Sequence, residues 1–483
     1  MEKAVLALDL GASSGRAVIG KYKSGAFELT EIHRFYHKPI MKENTLYWDI
    51  DFIFSEIKKA IKLATSTTKI DSLAIDTWGV DYGLLDDAGF LIEAPTHYRD
   101  KKTEGIIPKI TKLIPEEELY QITGIQLMEI NTLFQLKADE LNALEKFSKA
   151  KTMLLISDLL NYLLTGKKKT EMSIASTTGL LDPVTKNWNE ELISRLKIPR
   201  ELFTDIASEG QSLGFIKEEL DLPPILVYHV CAHDTASAFA SSASLEDCLF
   251  VSCGTWSLIG MERVAPIINE KSKKYNLTNE SGIDRTTRLL KNTTGLWIIQ
   301  ELKREFNEAG KNYTYVDFES MMTNIPEFTG FIDTEDLMFS SPGNMNEKIK
   351  NFLKKTDQSV PETDGGLIRV VYESLAFKFR TIFLEIMDTT NIEFSSVKMV
   401  GGGIQSQLLC EMIANASGLT VFTGPTEATV FGNIAVQLKA LGCFSSLTDM
   451  RSWIQSYAEI KTYLPQNQKM WEVQFERYKE IIK

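Results

Sequence analysis

The chain opens with short apolar runs separated by polar turns. Val5 to Leu8 is an apolar run ending on Asp9, Gly11-Ala12-Ser13-Ser14-Gly15 is a turn, and Ala17 to Gly20 leaves it as a second β-prone run. Runs of this length bounded by turn residues predict paired strands. Lys23-Ser24-Gly25 then turns the chain into a third strand-like run, Phe27 to Phe35. After Asp49-Ile50-Asp51 the period changes. Ile53, Phe54, Ile57, Ala60, Ile61 and Ala64 recur at helical spacing, which predicts an amphipathic helix over Phe52 to Ala64 with an acidic start. A strand follows at Ser72 to Asp76, then Thr77-Trp78-Gly79-Val80-Asp81 and a strand pair turning at Asp86-Asp87-Ala88-Gly89. Two hairpins flanking a helix predict a mixed sheet with helices packed on it.

From about residue 102 to 166 the pattern is helical, clearest over 131–150 and 157–164. Ser176 to Asp182 reads as a strand, Asn189 to Arg195 as a short helix, and Ile225 to Val230 as a buried strand running into a helix start at His233-Asp234-Thr235. Near Ser244-Leu245-Glu246-Asp247 the organisation begins again. Cys248 to Cys253 is a strand, Gly254-Thr255 a turn and Trp256 to Gly260 a return strand, in a layout that echoes the opening hairpin. Helices are predicted at 295–307 and 367–387. The strand Val397 to Val400 then feeds Gly401-Gly402-Gly403 and a helix over 405–416, before a strand at 419–422 and a helix over 426–441. The pattern predicts an α/β chain of two halves, 1–243 and 244–483, with a cleft between them.

Composition narrows the function. With 43% apolar and 24% charged residues over 483 positions, core size is not limiting. A net charge of −12 argues against a nucleic-acid partner, because phosphate-backbone binding needs a basic surface. Five cysteines without C-x-x-C spacing read as buried thiols, not as a disulfide framework or zinc site. No apolar stretch approaches the roughly 20 residues that span a bilayer, and the start shows no signal-peptide pattern, so a cytoplasmic protein with no membrane partner is expected.

The candidate chemistry lies at strand ends. In the first turn, glycines let backbone N–H groups converge on an anion and small serines let it come close, while Asp9 can hold a hydrated Mg²⁺ against it. Gly11-Ala12-Ser13-Ser14-Gly15 also fits the G-x-S-x-G nucleophile elbow of hydrolases, but an elbow must lead into a helix and this turn leads into a strand. Asp234 fits an N-cap and equally a general base, since ligands collect at the carboxyl ends of strands in open sheets. Gly401-Gly402-Gly403 fits close strand–helix packing or the approach of a nucleotide to the backbone. No G-x-G-x-x-G and no Walker A sequence occurs.

Taken together, Asp9 to Arg16, Ile75 to Asp81, His233 to Ala238 and Gly254-Thr255-Trp256-Ser257 resemble the FGGY carbohydrate kinases. Tyr98-Arg99-Asp100, Leu290-Lys291-Asn292, Gly295-Leu296-Trp297, Val400 to Gly403, Gly424 to Ala428 and Gly432-Asn433-Ile434 extend the likeness in order along most of the chain. Residues 310–364 and those past about 442 carry no matching motif. The resemblance implies an actin-like ATPase (ribonuclease H-like) fold, two domains around a central cleft. It assigns the sugar and the catalytic base to 1–243 and the nucleotide to 244–483. The implied reaction is ATP-dependent phosphorylation of L-rhamnulose on its 1-hydroxyl, as in L-rhamnose catabolism.

Carried over position by position, the resemblance makes Asp234 the catalytic base and Gly79, His233, Asp234, Thr235 and Asn292 the sugar contacts. Ala12, Ser13, Ser14, Gly15, Arg16, Thr255, Gln300 and Gly402 become the ATP site, and Asp9 the anchor for Mg²⁺ through water. The implied partners are a small sugar and ATP, with the chain a monomer or homodimer. Two other readings are compatible with the motifs: an FGGY kinase of L-fuculose or of a ketopentose, and an actin-like ATPase that works as a conformational switch.

Overall fold

The computed structural model describes residues 2–242 and 248–483. The predicted restart at Ser244 to Asp247, and with it the junction of the two predicted halves, lies outside the described residues. The chain packs into two compact units: one of residues 1–243, 262–289 and 428–457, the other of 244–261, 290–427 and 458–483. Among the described residues no helix is long and apolar enough to cross a membrane.

The first unit is built on β1 (Glu2–Leu10), β2 (Ser14–Lys23) and β3 (Ala26–Tyr36), a meander in which Leu10 pairs with Gly15 and Ser14 with Tyr36. Helix α1 (Ile50–Thr67) follows, with the Asp49 side chain accepting the Phe52 N–H at its start. Next come β4 (Ser72–Thr77), β5 (Ser212–Phe215), β6 (Leu226–Tyr228) and helix α2 (Asp234–Ser241). The sheet order is β5-β6-β4-β1-β2-β3, and β1, β4 and β6 run parallel. Parallel strands buried on both faces carry continuous apolar runs. On β1, Leu6 and Leu8 pack with Ile53, Ile57 and Ile61 of α1, and successive side chains alternate faces.

In the second unit β7 (Cys248–Cys253) and β8 (Trp256–Arg263) form the second predicted hairpin, with Cys253 opposite Ser257. Helices α3 (Trp297–Glu308) and α4 (Asp364–Thr390) precede β9 (Ser396–Val400), which lies parallel to β7 with Val400 opposite Ser252. Then α5 (Gln407–Ser417) leads to β10 (Thr420–Thr423), parallel to β9. The chain then returns to the first unit as α6 (Ala428–Ala440), whose Val430, Ile434 and Leu438 cover Val5 and Ala7, on the face of β1 away from α1.

Three predicted elements differ. Residues 176–182 are not a strand: the Ser176, Thr177 and Thr178 hydroxyls bond the carbonyls three residues back, continuing the turn of the preceding helix until Gly179 ends it at φ +72°. The turn at Asp86 to Gly89 forms, but its return strand reduces to a bridge at Leu91, and Tyr82–Leu85 pairs with Thr152–Leu155 instead. That four-residue apolar run falls inside the stretch read as helical, where so short a run has no distinguishing period. The helix over 131–150 breaks at Ala143 into Thr132–Asn142 and Leu144–Lys149.

Candidate functional site

In the first unit the adjacent parallel strands β1 and β4 each carry an aspartate next to their last residue, and a third aspartate opens α2 after the loop that follows β6. Asp9 and Asp76 stand side by side in the β1–β4 register, and Thr77 bridges in parallel to His233, the residue before Asp234. Asp76 is fully buried, and its carboxyl is held well above the usual carboxylate range by burial and then by repulsion from Asp9 and Asp234. Its Oδ2 accepts the Asn433 amide at 2.6 Å, while Oδ1 has no hydrogen-bond partner among the described residues. Against these three carboxylates stands the guanidinium of Arg16, which sits on Asp9 Oδ2 through Nε at 2.8 Å and Nη2 at 2.6 Å.

Asp234 is the first residue of α2, and His233 occupies the N-cap position without capping the helix through its side chain. The N-cap reading of Asp234 is thereby corrected by one residue. Its Oδ1 accepts from the Thr235 backbone N–H and, at 3.0 Å, from the Thr235 hydroxyl. The side chain is one-third exposed, and desolvation raises its carboxyl above the ordinary range while the neighbouring His233 opposes that rise. The loop before it is pinned from below. Glu171 Oε2 accepts from Ser173 N–H, Ile174 N–H, the Ser173 hydroxyl and Ala232 N–H, and the Ser173 hydroxyl oxygen accepts the His233 N–H at 3.2 Å. Burial pushes Glu171 up to about 7.

At the tip of the first hairpin Ser13 is exposed, and Ala12 and Ser14 are half-buried. The Gly11 N–H is taken by Ser14 O at 2.9 Å, so this amide closes the turn. Gly15 is glycine for room: a Cβ there would lie 2.3 Å from the Phe35 ring. Gly79 is likewise pressed against Thr177, 2.9 Å from where its Cβ would be. Next to it Val80 has φ +67°, a strained conformation for a β-branched residue. It is held there by Thr177 Oγ1 on its N–H and by the Thr132 hydroxyl on its carbonyl. Buried Asp81 accepts from Trp48, Trp78, Tyr98 N–H and Gln135, and burial pushes it up to about 6.

In the second unit the structure brings together Thr255, Gln300 and Gly402. The Thr255 hydroxyl donates to Gln300 Oε1 at 2.9 Å. Gly402 follows β9 beside the β7 turn, is exposed, and has open space where a Cβ would stand. Its neighbours are tight: a Cβ on Gly401 would meet Cys253 O at 2.8 Å, and one on Gly295 would meet Gly254 O at 2.4 Å. Asn292 lies half-buried on the strand Thr287–Thr294.

The residues of the candidate site that sequence reasoning missed are Asp76, Glu171 and Asn433. Asp76 had a signal, since Leu8-Asp9 and Ile75-Asp76 both end apolar runs on an aspartate. Asn433 stood within the Gly432-Asn433-Ile434 match without a role, and Glu171 acts across the fold with no local pattern. The carboxylate excess around Asp9, with the unpartnered Asp76 oxygen, suits a divalent cation. Among the described residues no group of three His, Cys, Asp or Glu is placed to ligate a metal ion directly, so an ion at Asp9 would have to be held mostly through water.

Family models described as the N-terminal and C-terminal domains of the FGGY family of carbohydrate kinases match residues 4–239 and 249–441. A curated relative from Oceanobacillus iheyensis named Rhamnulokinase is 38% identical over 467 residues, 96% of this chain and 98% of its own. Another Rhamnulokinase, from Bacteroides thetaiotaomicron, is 34% identical over 489 residues and the whole of both chains. Among solved structures, a xylulose kinase from Lactobacillus acidophilus superposes with a TM-score of 0.82 at 18% identity, covering 99% of this chain and 97% of its own. A Plasmodium falciparum glycerol kinase with ADP gives 0.78 at 14% identity over 100% and 98%. The fold is that of the actin-like, ribonuclease H-like ATPases.

Proposed function

The chain belongs to the FGGY family of carbohydrate kinases, and we propose that within it this enzyme transfers the γ-phosphoryl group of ATP to the 1-hydroxyl of L-rhamnulose. The observation that carries the substrate is the full-length likeness to relatives named Rhamnulokinase at 34–38% identity. Residues 1–243 would supply the base and most of the sugar contacts, and residues 244–483 most of the nucleotide contacts.

Asp234 is the base. Both Thr235 contacts fall on Oδ1, which leaves Oδ2 for the attacking hydroxyl. A carboxyl raised by desolvation is also the better proton acceptor, and such catalysis contributes roughly 10²–10⁴-fold. As the sugar oxygen bonds to the γ-phosphorus, the bond from that phosphorus to the ADP oxygen breaks and the hydroxyl proton passes to Asp234. Gly79, His233, Thr235 and Asn292 would hold the sugar. The Ala12-Ser13-Ser14-Gly15 tip with Arg16, and Thr255, Gln300 and Gly402, would hold ATP. Asp9 would hold Mg²⁺ through water, and the chemistry the ion supplies when bound is neutralisation of phosphate charge.

An ADP-release assay over L-rhamnulose, L-fuculose, L-ribulose and D-xylulose tests the assignment. The highest kcat/KM is expected for L-rhamnulose. A higher value for another ketose overturns the substrate, and ADP release indifferent to every sugar overturns the transfer reaction.

A further inference from the structure

Behind His233 lies a charged pair that the proposed reaction does not use. Arg288 is fully buried and Glu280 nearly so, and Arg288 Nη2 stands 3.1 Å from Glu280 Oε2. The same Nη2 is 3.3 Å from His233 Nδ1, and Glu280 Oε2 is also 3.3 Å from that nitrogen. Arg288 is fixed further by Nε donating to Ser281 O at 3.0 Å, with its guanidinium 5.8 Å from the centre of the Phe239 ring. On the other side of the imidazole, Nε2 is 3.5 Å from Asp234 Oδ1. A buried ion pair is a poor source of stability, because desolvating two charges offsets most of their attraction. Its convergence on a single ring nitrogen beside the base calls for another account.

We propose that the Glu280–Arg288 pair positions His233, fixing the ring proton on Nε2 so that this nitrogen donates to a sugar oxygen next to Asp234. A guanidinium only donates. The two protons of Nη2 satisfy two acceptors at once, Glu280 Oε2 and the lone pair of His233 Nδ1. A proton on Nδ1 would set two donors against each other and both against one carboxylate oxygen. With Nδ1 accepting, the neutral ring carries its proton on Nε2. Glu280 holds the guanidinium in place, and Arg288 selects the tautomer. His233 thus enters sugar recognition as a donor, matched to a carbonyl or hydroxyl oxygen. This assignment rests on the reading of His233 as a sugar contact.

Two measurements on the full-length enzyme test it. Ring ¹⁵N NMR of protein labelled at histidine, with His233 assigned through His233→Gln, should show the Nε2–H tautomer in the parent. A mixture of tautomers is expected in Arg288→Gln, and restoration in Arg288→Lys. An Nδ1–H ring in the parent, or an unchanged ring in Arg288→Gln, overturns the proposal. In kinetics, Arg288→Gln should raise KM for the ketose about tenfold, with Glu280→Gln milder and KM for ATP unmoved. Neither should raise KM further in a His233→Ala background, because coupled residues are non-additive. Equal increments in both backgrounds overturn the positioning role. If His233→Ala leaves KM unchanged for every ketose turned over, the sugar-contact reading fails instead, and the NMR result still decides the tautomer.

Discussion

The two hairpins share a plan and differ in means. In the first, the turn is flanked by a cross-strand ion pair, with Asp9 opposite Arg16, and a second aspartate stands beside Asp9 on the next strand. In the second, the matching positions are Ser252 opposite Leu258 and Cys253 opposite Ser257. There the neighbourhood is made of backbone: Gly254 N–H closes on Trp256 O, and Gly295, Gly401 and Gly403 press against the turn. Both turns need room at a glycine, Gly15 in the first, but only the first adds placed charge. The first should therefore respond to changes of charge as well as bulk, and the second to changes of bulk.

The contrast can be broken at several depths. The largest effect is expected at Asp234. Asp234→Asn, nearly isosteric, should lower kcat by roughly 10²–10⁴-fold while ATP binding by calorimetry is retained; near-parental turnover would remove Asp234 as the base. Bulk comes next. Gly401 has φ +83° and faces the Cys253 carbonyl, so Gly401→Ala should cost about 1–3 kcal/mol in denaturant unfolding and raise KM for ATP, with KM for the sugar unmoved.

Charge beneath the base follows. Glu171 has its folded pKa raised to about 7, so the fold holds its proton where the unfolded chain does not. The stability tied to this protonation is fully present below the ordinary carboxylate range of about 4 and is lost as pH rises through about 7. Glu171→Gln should therefore gain in Tm relative to the parent between pH 5 and 8, and a constant difference across that range would contradict the assignment. The smallest effect is expected at Thr255→Val, which deletes the hydrogen bond to Gln300. It should weaken ATP by about 1 kcal/mol, read as a several-fold rise in KM for ATP alone.

Much of the frame was legible because period and punctuation agree. β1, β2, α1 and β9 sit within a few residues of their predicted bounds. Two of the three predicted elements that differ are short segments whose state is decided by a partner strand far along the chain or by hydroxyls bonding their own backbone, while nothing in the local pattern marks the break at Ala143. For the site, sequence could single out residues that end a strand or open a turn, such as Asp9, Asp234, Thr255 and Gly402. It could not find those whose part is to hold another side chain. Glu280 and Arg288 carry no local signal, and only tertiary packing sets them against His233. Asp76 lay between these cases, quoted within a motif yet without a role until the register placed it beside Asp9.

The return of α6 into the first unit bears on how the chain is made. Asn433 reaches Asp76 across 357 positions, and Gln437 reaches the Ser72 hydroxyl across 365 and the Leu6 carbonyl across 431. Gly432 lies so close to α2 that a Cβ would fall 1.8 Å from the Ser237 carbonyl oxygen. A ribosome releases β1 and β4 long before it releases α6. Until then the face of β1 that carries Val5 and Ala7 lacks its cover, and the Asp76 carboxyl lacks its amide. Domains commonly fold in order of synthesis, but this unit takes in β1 and is completed by a helix whose contacts reach back across 357 to 431 positions. Nascent chains halted before residue 428 should therefore remain clients of chaperones.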